Sequence, residues 1–362
     1  MNDFVHDGPR KGRGAVSNRA GRYERLRAER TDDGTLDLDP DSEPEPLKTT
    51  VTPEVTRTII TRNDSPDIPF DRSINPYKGC EHGCIYCFAR PTHAYIGLSP
   101  GLDFETKLFS KPDAARLLRR ELRSPGYRCE VMALGSNTDP YQPVERRLEI
   151  TRQILEVLSE HRHPVTIVTK SDLVLRDLDL LAPMARSNLA SVMVSVTTLD
   201  RNLARRLEPR AATPKRRVHA IARLVEAGVP AGILASPMIP GLNDGELERI
   251  LEACAAAGAT TAGYILLRLP LEIKQLFSEW LEENYPLRAS HVLSLVRETR
   301  AGGLNQSEFG LRMKGSGPYA EMLRRRFVIA VGRLGLDRDR PALDTGQFLV
   351  PPRPGDQREL FE

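Results

Sequence analysis

Short apolar runs alternate with amphipathic stretches along this chain from about residue 50 onward. The runs at 130–134, 165–169, 191–196, 231–235 and 261–266 are partly β-branched and end in polar residues, Gly or Pro. Such runs predict strands buried on both faces of a parallel sheet. Between them, the stretches 145–161, 172–186, 200–207, 214–228 and 244–258 carry apolar residues three and four apart, the spacing of one helical face. A strand before Cys80 and a helix over 111–123 complete about six β-α units within residues 70–285. A full TIM barrel takes eight units and ~250 residues. The chain therefore predicts an α/β fold, a partial (β/α)6 barrel of the TIM type spanning 50–285, with ligands on the loops after the strands' C-terminal ends.

Residues 286–340 keep the helical period, with Leu293, Val296, Leu323, Phe327 and Val331 on apolar faces. They predict a helical C-terminal cap over the barrel's open side, and the Pro-rich residues 341–362 an extended tail. Residues 1–30 carry eight bases against four acids, whereas 31–47 carry seven acids and no base. Blocks of that kind stay solvated, so residues 1–49 predict a disordered, charge-segregated tail.

A hydrophobic fraction of 40% and a charged fraction of 28% exclude wholesale disorder. The net charge of +3 is too small to argue by itself for a nucleic-acid partner. Nowhere do about 18 apolar residues run together, and no apolar segment follows the first residues, so neither a membrane span nor secretion is predicted. The cytoplasm is the expected compartment. Five cysteines, three of them within eight residues, suit a metal or cluster site in a reducing compartment and not a disulfide framework.

Those three thiols lie in Asn75-Pro76-Tyr77-Lys78-Gly79-Cys80-Glu81-His82-Gly83-Cys84-Ile85-Tyr86-Cys87. The spacing C-x3-C-x2-C on a Gly-containing loop lets Cys80, Cys84 and Cys87 converge on one inorganic centre. On a four-iron cluster, three ligands leave one iron open, as a catalytic zinc keeps an open position. The competing reading is a structural zinc completed by His82 or His93. Cys129 and Cys254 read as buried small hydrophobes.

The cysteine spacing, with Tyr86 as the aromatic before the last thiol, resembles the radical S-adenosylmethionine enzymes. NPYKGCEHGCIYC and the later GSNTDPYQPVE resemble their spore photoproduct lyase-like branch. The resemblance, which covers roughly 70–285, implies a [4Fe-4S] cluster on Cys80, Cys84 and Cys87. S-adenosylmethionine would chelate the open iron and, after one-electron reduction, yield a radical that takes hydrogen from a substrate. It further implies that the loop 135–139 grips the methionine amino group through Ser136, Asn137 and Asp139. Lys170 would meet the methionine carboxylate, Ser195 that carboxylate or the ribose, Met238 with Ile239 the adenine face, and the Tyr86 backbone the adenine edge.

The lyase carries a hydrogen-donating cysteine where this chain has Asn137, which speaks against photoproduct repair unless Tyr141 or Tyr77 substitutes. The substrate stays open, with nucleic acid as one candidate, and a reducing electron donor is required. Two other readings compete. One is an iron-sulfur binding or electron-transfer module without radical chemistry, with Cys129 or Cys254 as fourth ligand. The other is added docking on the sliding clamp, because Gln357-Arg358-Glu359-Leu360-Phe361 resembles the short peptides that bind it, inserting Leu360 and Phe361 into an apolar pocket.

Overall fold

The computed structural model describes residues 9–24, 47–338 and 342–352. Its strands are β1 (Thr50–Pro53), β2 (Ile60–Arg62), β3 (Arg72–Ile74), β4 (Tyr77–Lys78), β5 (Lys107–Ser110), β6 (Met132–Leu134), β7 (Val165–Thr169), β8 (Ala190–Ser195), β9 (Ala231–Met238) and β10 (Thr261–Leu266). The main sheet runs β2-β3-β6-β7-β8-β9-β10. Its six strands from β3 to β10 are parallel, and β2 joins one edge antiparallel. This is the expected six-unit partial barrel. Each central strand is short because both its faces are covered: Met132–Leu134 is wholly buried, and Val165, Ile167, Val192, Val194, Ile233 and Ala235 join the same core.

The outer layer follows the helical periodicity. The helices Ala114–Leu122, Ile150–Glu160, Leu178–Arg186, Pro214–Glu226 and Leu247–Ala256 place Leu117, Leu118, Ile154, Leu158, Leu181, Ile221, Leu224, Ile250 and Leu251 against the sheet. A separate small sheet, β1-β5-β4, escapes a reading based on apolar runs because its members are only two to four residues long and partly exposed.

The C-terminal helices divide their work. Ile273–Asn284, expected within the barrel, pairs instead with Pro286–Glu298. Through Phe277, Trp280 and Val292 the pair shares a cluster with Cys84, Ile85, Tyr86, Leu203 and Leu207. The long helix Gly317–Leu334 covers the outer edge, its Phe327 ring 4.7 Å from that of Tyr264 on β10 and its Arg326 paired with Glu248 at 2.7 Å.

Parts of both tails expected to be disordered or merely extended are docked. Residues 9–24 lie across the cysteine loop. Arg13 donates to the carbonyl of Glu105 at 3.0 Å, and Ser17 to Glu279 of the helical pair at 2.6 Å. Charge density misleads here because half-buried acids of the helical pair answer these bases, Glu279 pairing with Arg19 and Glu272 with Arg22. Near the other terminus the Leu349 N–H meets the His161 carbonyl at 2.9 Å, and Phe348 packs edge-on to His163. The clamp-like peptide at 357–361 lies outside the described residues.

Candidate active site

The three thiols lie on the loop after β4, beyond the C-terminal end of β3, and neighbouring segments hold that loop. Gln142, after β6, accepts the Glu81 N–H at 2.9 Å and donates to the Gly79 carbonyl at 3.1 Å. The buried Arg90 guanidinium donates to the carbonyls of Gly83 and Cys84 and pairs with Glu105. Glu105 also accepts the N–H groups of Gly14 and Ala15, each at 2.9 Å. A Cβ on Gly14 would lie 1.8 Å from the Gly83 carbonyl oxygen, so only glycine lets the N-terminal strand of chain press so closely.

Cys80 and Cys84 are buried, Cys87 is partly so, and none is in a disulfide. Burial raises all three thiols, and each lies within electrostatic reach of the other two. A bound centre must therefore displace their protons. Three free thiols gathered this way, with Lys170 and Arg90 as nearby cations, fit the donor set of an iron-sulfur cluster. His82 Nδ1 faces Asp139 at 3.4 Å, and His93 Nε2 faces the Lys107 carbonyl at 3.0 Å. Among the described residues, no group of three or more His, Cys, Asp or Glu side chains, the three thiols included, is drawn tightly enough to hold a single ion, and neither imidazole completes a zinc site with them. Cys254 packs in the outer core and Cys129 precedes β6, at the end of the sheet opposite the cysteine loop. Neither completes a fourth thiolate.

Lys170, ending β7, reaches across the mouth to donate to Ser195 Oγ at 3.0 Å, with its ammonium 5.8 Å from the Tyr86 ring centroid. Ser195, at the end of β8, donates in turn to the Ser236 carbonyl at 3.2 Å. These expected residues meet. Beneath them lies a group that pattern reading passes over. The buried Glu208 carboxylate accepts from the Tyr86 hydroxyl, from Thr197 Oγ1 at 2.6 Å and from Arg217. Burial opposes the Glu208 charge, but Arg217 and Lys170 outweigh it and keep the carboxyl below its ordinary range. In the Glu208-Pro209-Arg210 turn the more conspicuous residue is Arg210, which pairs with Glu81 at 3.1 Å. The Glu208 carboxylate is the stronger signal, because a buried acid needs a cation on another element.

The loop after β6 begins at Gly135 (φ +87°), where a Cβ would lie 2.1 Å from the Val168 carbonyl oxygen. Asn75 organises residues 136 and 137 of this loop. Its Nδ2 donates to Ser136 Oγ at 3.3 Å, and its Oδ1 accepts the Asn137 N–H at 3.0 Å. Asp139 departs from expectation. Its oxygens accept from Thr169 Oγ1 (2.7 Å), the Tyr141 N–H (2.9 Å) and the Lys170 N–H (2.7 Å), with His82 opposite. Burial would raise this carboxyl, but His82 and the donated hydrogen bonds prevail and hold it at about 2. It ties the neighbouring loops together, and these partners take up most of its acceptor sites.

Met238 also differs. Strand β9 continues to that residue, which pairs in register with Leu266, and its side chain is buried in the barrel core. Ile239, one residue on, takes the place beside Cys84, Ile85 and Tyr86. Tyr77 and Tyr141 are buried in the outer core, their hydroxyls donating to Glu145 and Asp177. As candidate hydrogen donors they face away from the mouth.

Residues 74–254 match the family described as the Radical SAM superfamily. An uncharacterized protein of Mycobacterium tuberculosis is 38% identical over 288 residues, which span 78% of this chain and 81% of that one. An uncharacterized protein of Methanocaldococcus jannaschii is 30% identical over 213 residues, 59% of this chain and 76% of its own length. Among solved structures, spore photoproduct lyase complexed with dinucleoside spore photoproduct superposes with a TM-score of 0.55 at 16% identity. That match covers 78% of this chain and 79% of the lyase.

Proposed function

The chain belongs to the radical S-adenosylmethionine superfamily, with a fold like that of spore photoproduct lyase, and from that premise we propose that this enzyme abstracts hydrogen from a nucleic-acid substrate. Cys80, Cys84 and Cys87 would hold a [4Fe-4S] cluster, which together with S-adenosylmethionine would supply one-electron reductive chemistry for hydrogen abstraction. The rest is the work of the chain. Lys170 offers the methionine carboxylate a cation. Ser195 fixes that ammonium at 3.0 Å, and Ile239 gives the adenine an apolar wall. Glu208 pins the Tyr86 ring, and the helical pair from Ile273 to Glu298 excludes water from that side. Excluding water and holding reactants close are what such chemistry asks of a protein.

The observation that carries the reading is three neighbouring thiols at the strand-end mouth, two buried and one partly so, with Lys170 in electrostatic reach of Cys84 and Cys87. The substrate class rests on a second. Phe88, next to Cys87, is 44% exposed and lies under the Arg268 guanidinium at 4.8 Å, while Phe309, 55% exposed, lies under Arg312 at 4.7 Å. Exposed rings flanked by arginines are how proteins stack unpaired bases and hold their phosphates. The dinucleoside bound by the lyase agrees with this class.

The test is anaerobic. Protein reconstituted with iron and sulfide is reduced with dithionite and given S-adenosylmethionine, and 5′-deoxyadenosine is assayed by chromatography. Product is expected from the native chain and none from Cys84→Ala. Single-stranded oligonucleotide is expected to raise the yield, and Phe88→Ala to weaken that stimulation. An intact four-iron cluster whose spectrum ignores S-adenosylmethionine would favour the electron-transfer module instead.

A further inference from the structure

The main sheet ends in β2 at one edge and β10 at the other. Arg300, 1% exposed, fixes the chain beyond the helical pair to the second edge. Its guanidinium donates to the carbonyls of Leu266 and Leu267 at the end of β10 and to those of Leu311 and Arg312. From the first edge, the loop between β2 and β3 reaches the same segment. Its Asp67 accepts the Gly310 N–H at 2.7 Å and pairs with the Arg312 guanidinium, which also donates to Ser65 Oγ. The two edges of the open barrel therefore meet at one carboxylate.

That carboxylate stands among cations of the mouth. Arg268 follows β10 and lies in electrostatic reach of Asp67, Arg312 and Cys87. Among the described residues its guanidinium has no hydrogen-bond partner, although burial opposes its charge. Arg300 is a third guanidinium within reach of Arg268, and its own hydrogen bonds go to carbonyls. A cation kept from water without a partner is unfavourable, so a fold that retains Arg268 in this state points to an anion that arrives from outside. Phe88 under Arg268 and Phe309 under Arg312 link this cationic group to two exposed rings. Carboxylate and phosphate oxygens accept from a guanidinium in the same forked geometry, and both accept from backbone N–H groups.

We propose that Asp67 stands in for a phosphate. Arg268, Arg312 and the Gly310 N–H form a phosphodiester subsite, which a single-stranded nucleic acid takes over from Asp67 while the bases on either side of that phosphate stack on Phe88 and Phe309. The proposal deepens the nucleic-acid reading above and rests on it. Arg312 exchanges one anion for another, whereas Arg268 gains the partner it lacks. Seating the substrate thereby opens the contact between the barrel edges and releases the loop at residues 63–71.

The experiment uses reconstituted full-length protein under anaerobic conditions, with a fluorescein-labelled single-stranded thymidine decamer as probe and anisotropy as readout. Asp67→Asn keeps the shape and an acceptor for Gly310 but removes the competing charge. It is expected to tighten binding roughly tenfold, the range of one hydrogen bond to a charged group. Arg268→Gln should weaken binding by a similar factor and reduce the slope of log affinity against log salt by about 0.7, the share of one phosphate on a single strand. Glu308→Gln removes an exposed charge next to Phe309 in sequence and should change affinity less than about twofold, since water and salt screen it. In the native chain the decamer should raise deuterium uptake by residues 63–71. Equal or weaker binding by Asp67→Asn would overturn the proposal, as would an equal gain in Glu308→Gln, which marks a general charge effect, or unchanged exchange of the loop at saturating decamer. If oligonucleotide still stimulates 5′-deoxyadenosine formation in those cases, the nucleic-acid reading stands and the subsite alone falls. A native chain that forms 5′-deoxyadenosine yet binds no single strand would remove both.

Discussion

The two ends of the parallel sheet are built on opposite principles. At the C-terminal ends of the strands, Asp139, Lys170, Ser195, Glu208 and Arg217 are linked by hydrogen bonds in a setting where Ser195, Glu208 and Arg217 are at most 2% exposed. At the N-terminal ends the closure is aromatic and apolar. Tyr127 bonds His163 Nε2 at 2.7 Å, and Phe348 packs 5.3 Å from the His163 ring. Beyond them an apolar recess of about 540 Å³ is lined by Val192, Met193, Val225, Val229 and Leu343. Buried charge is costly unless every member is partnered. The fold accepts that cost chiefly at the end where the thiols stand; at the other end the buried Arg72 guanidinium is answered by Asp71 and lies over the Tyr127 ring.

The largest expected effect lies at the polar end. Cys84→Ala should abolish cluster uptake, read as complete loss of visible absorbance after reconstitution. Its unfolding free energy should fall by no more than ~1–2 kcal/mol, the range of an ordinary substitution. Loss of cooperative unfolding would instead make the loop part of the structural core and erase the contrast between the ends. Glu208→Ala comes next. It leaves the Arg217 guanidinium buried without its carboxylate, and removing one partner of a buried pair costs ~3–5 kcal/mol. Denaturant unfolding of Glu208→Ala alongside Glu208→Gln, which keeps an acceptor, would separate charge from packing.

At the apolar end, burial keeps the His163 imidazole neutral and lowers its pKa from 6.5 to about 4. Between those values the unfolded chain takes up a proton that the native chain refuses. The His163 contribution to stability should therefore fall as pH drops from about 6.5 to about 4, by up to ~3 kcal/mol, and level off below that, where carboxyls such as Asp139 take over the pH dependence. His163→Phe should flatten this dependence in urea melts at pH 7, 5 and 4. The smallest effect is expected for Phe348→Ala, ~1–2 kcal/mol of stability with cluster uptake unchanged. A loss of cluster uptake in that variant would show that the two ends are coupled.

Much of this is legible along the chain. Strands β6 to β10 lie within a few residues of their apolar runs because parallel strands covered by helices are largely apolar. Lys170 and Ser195 stand at the ends of β7 and β8, where the strand pattern puts them. Asp139 and Met238 mislead for a common reason. Each lies on the right loop or strand, but neither a carboxylate's partners nor a side chain's facing can be read from position alone. The Glu208–Arg217 pair joins a turn to a helix, and the strap at residues 9–24 answers acids such as Glu105 and Glu279 far along the chain. Such contacts leave no local period.

The sequence by itself determined the order of strands and helices, the thiol spacing and the side of the sheet on which chemistry would gather. Hydrophobic periodicity and short-range spacing are properties of neighbouring residues. Tertiary structure alone decided that Glu208 would accept from Tyr86 and Arg217 and that Asp139 would bond to the loops after β6 and β7. These depend on which distant groups burial forces together, since a charge removed from water must find its partner wherever the fold places one.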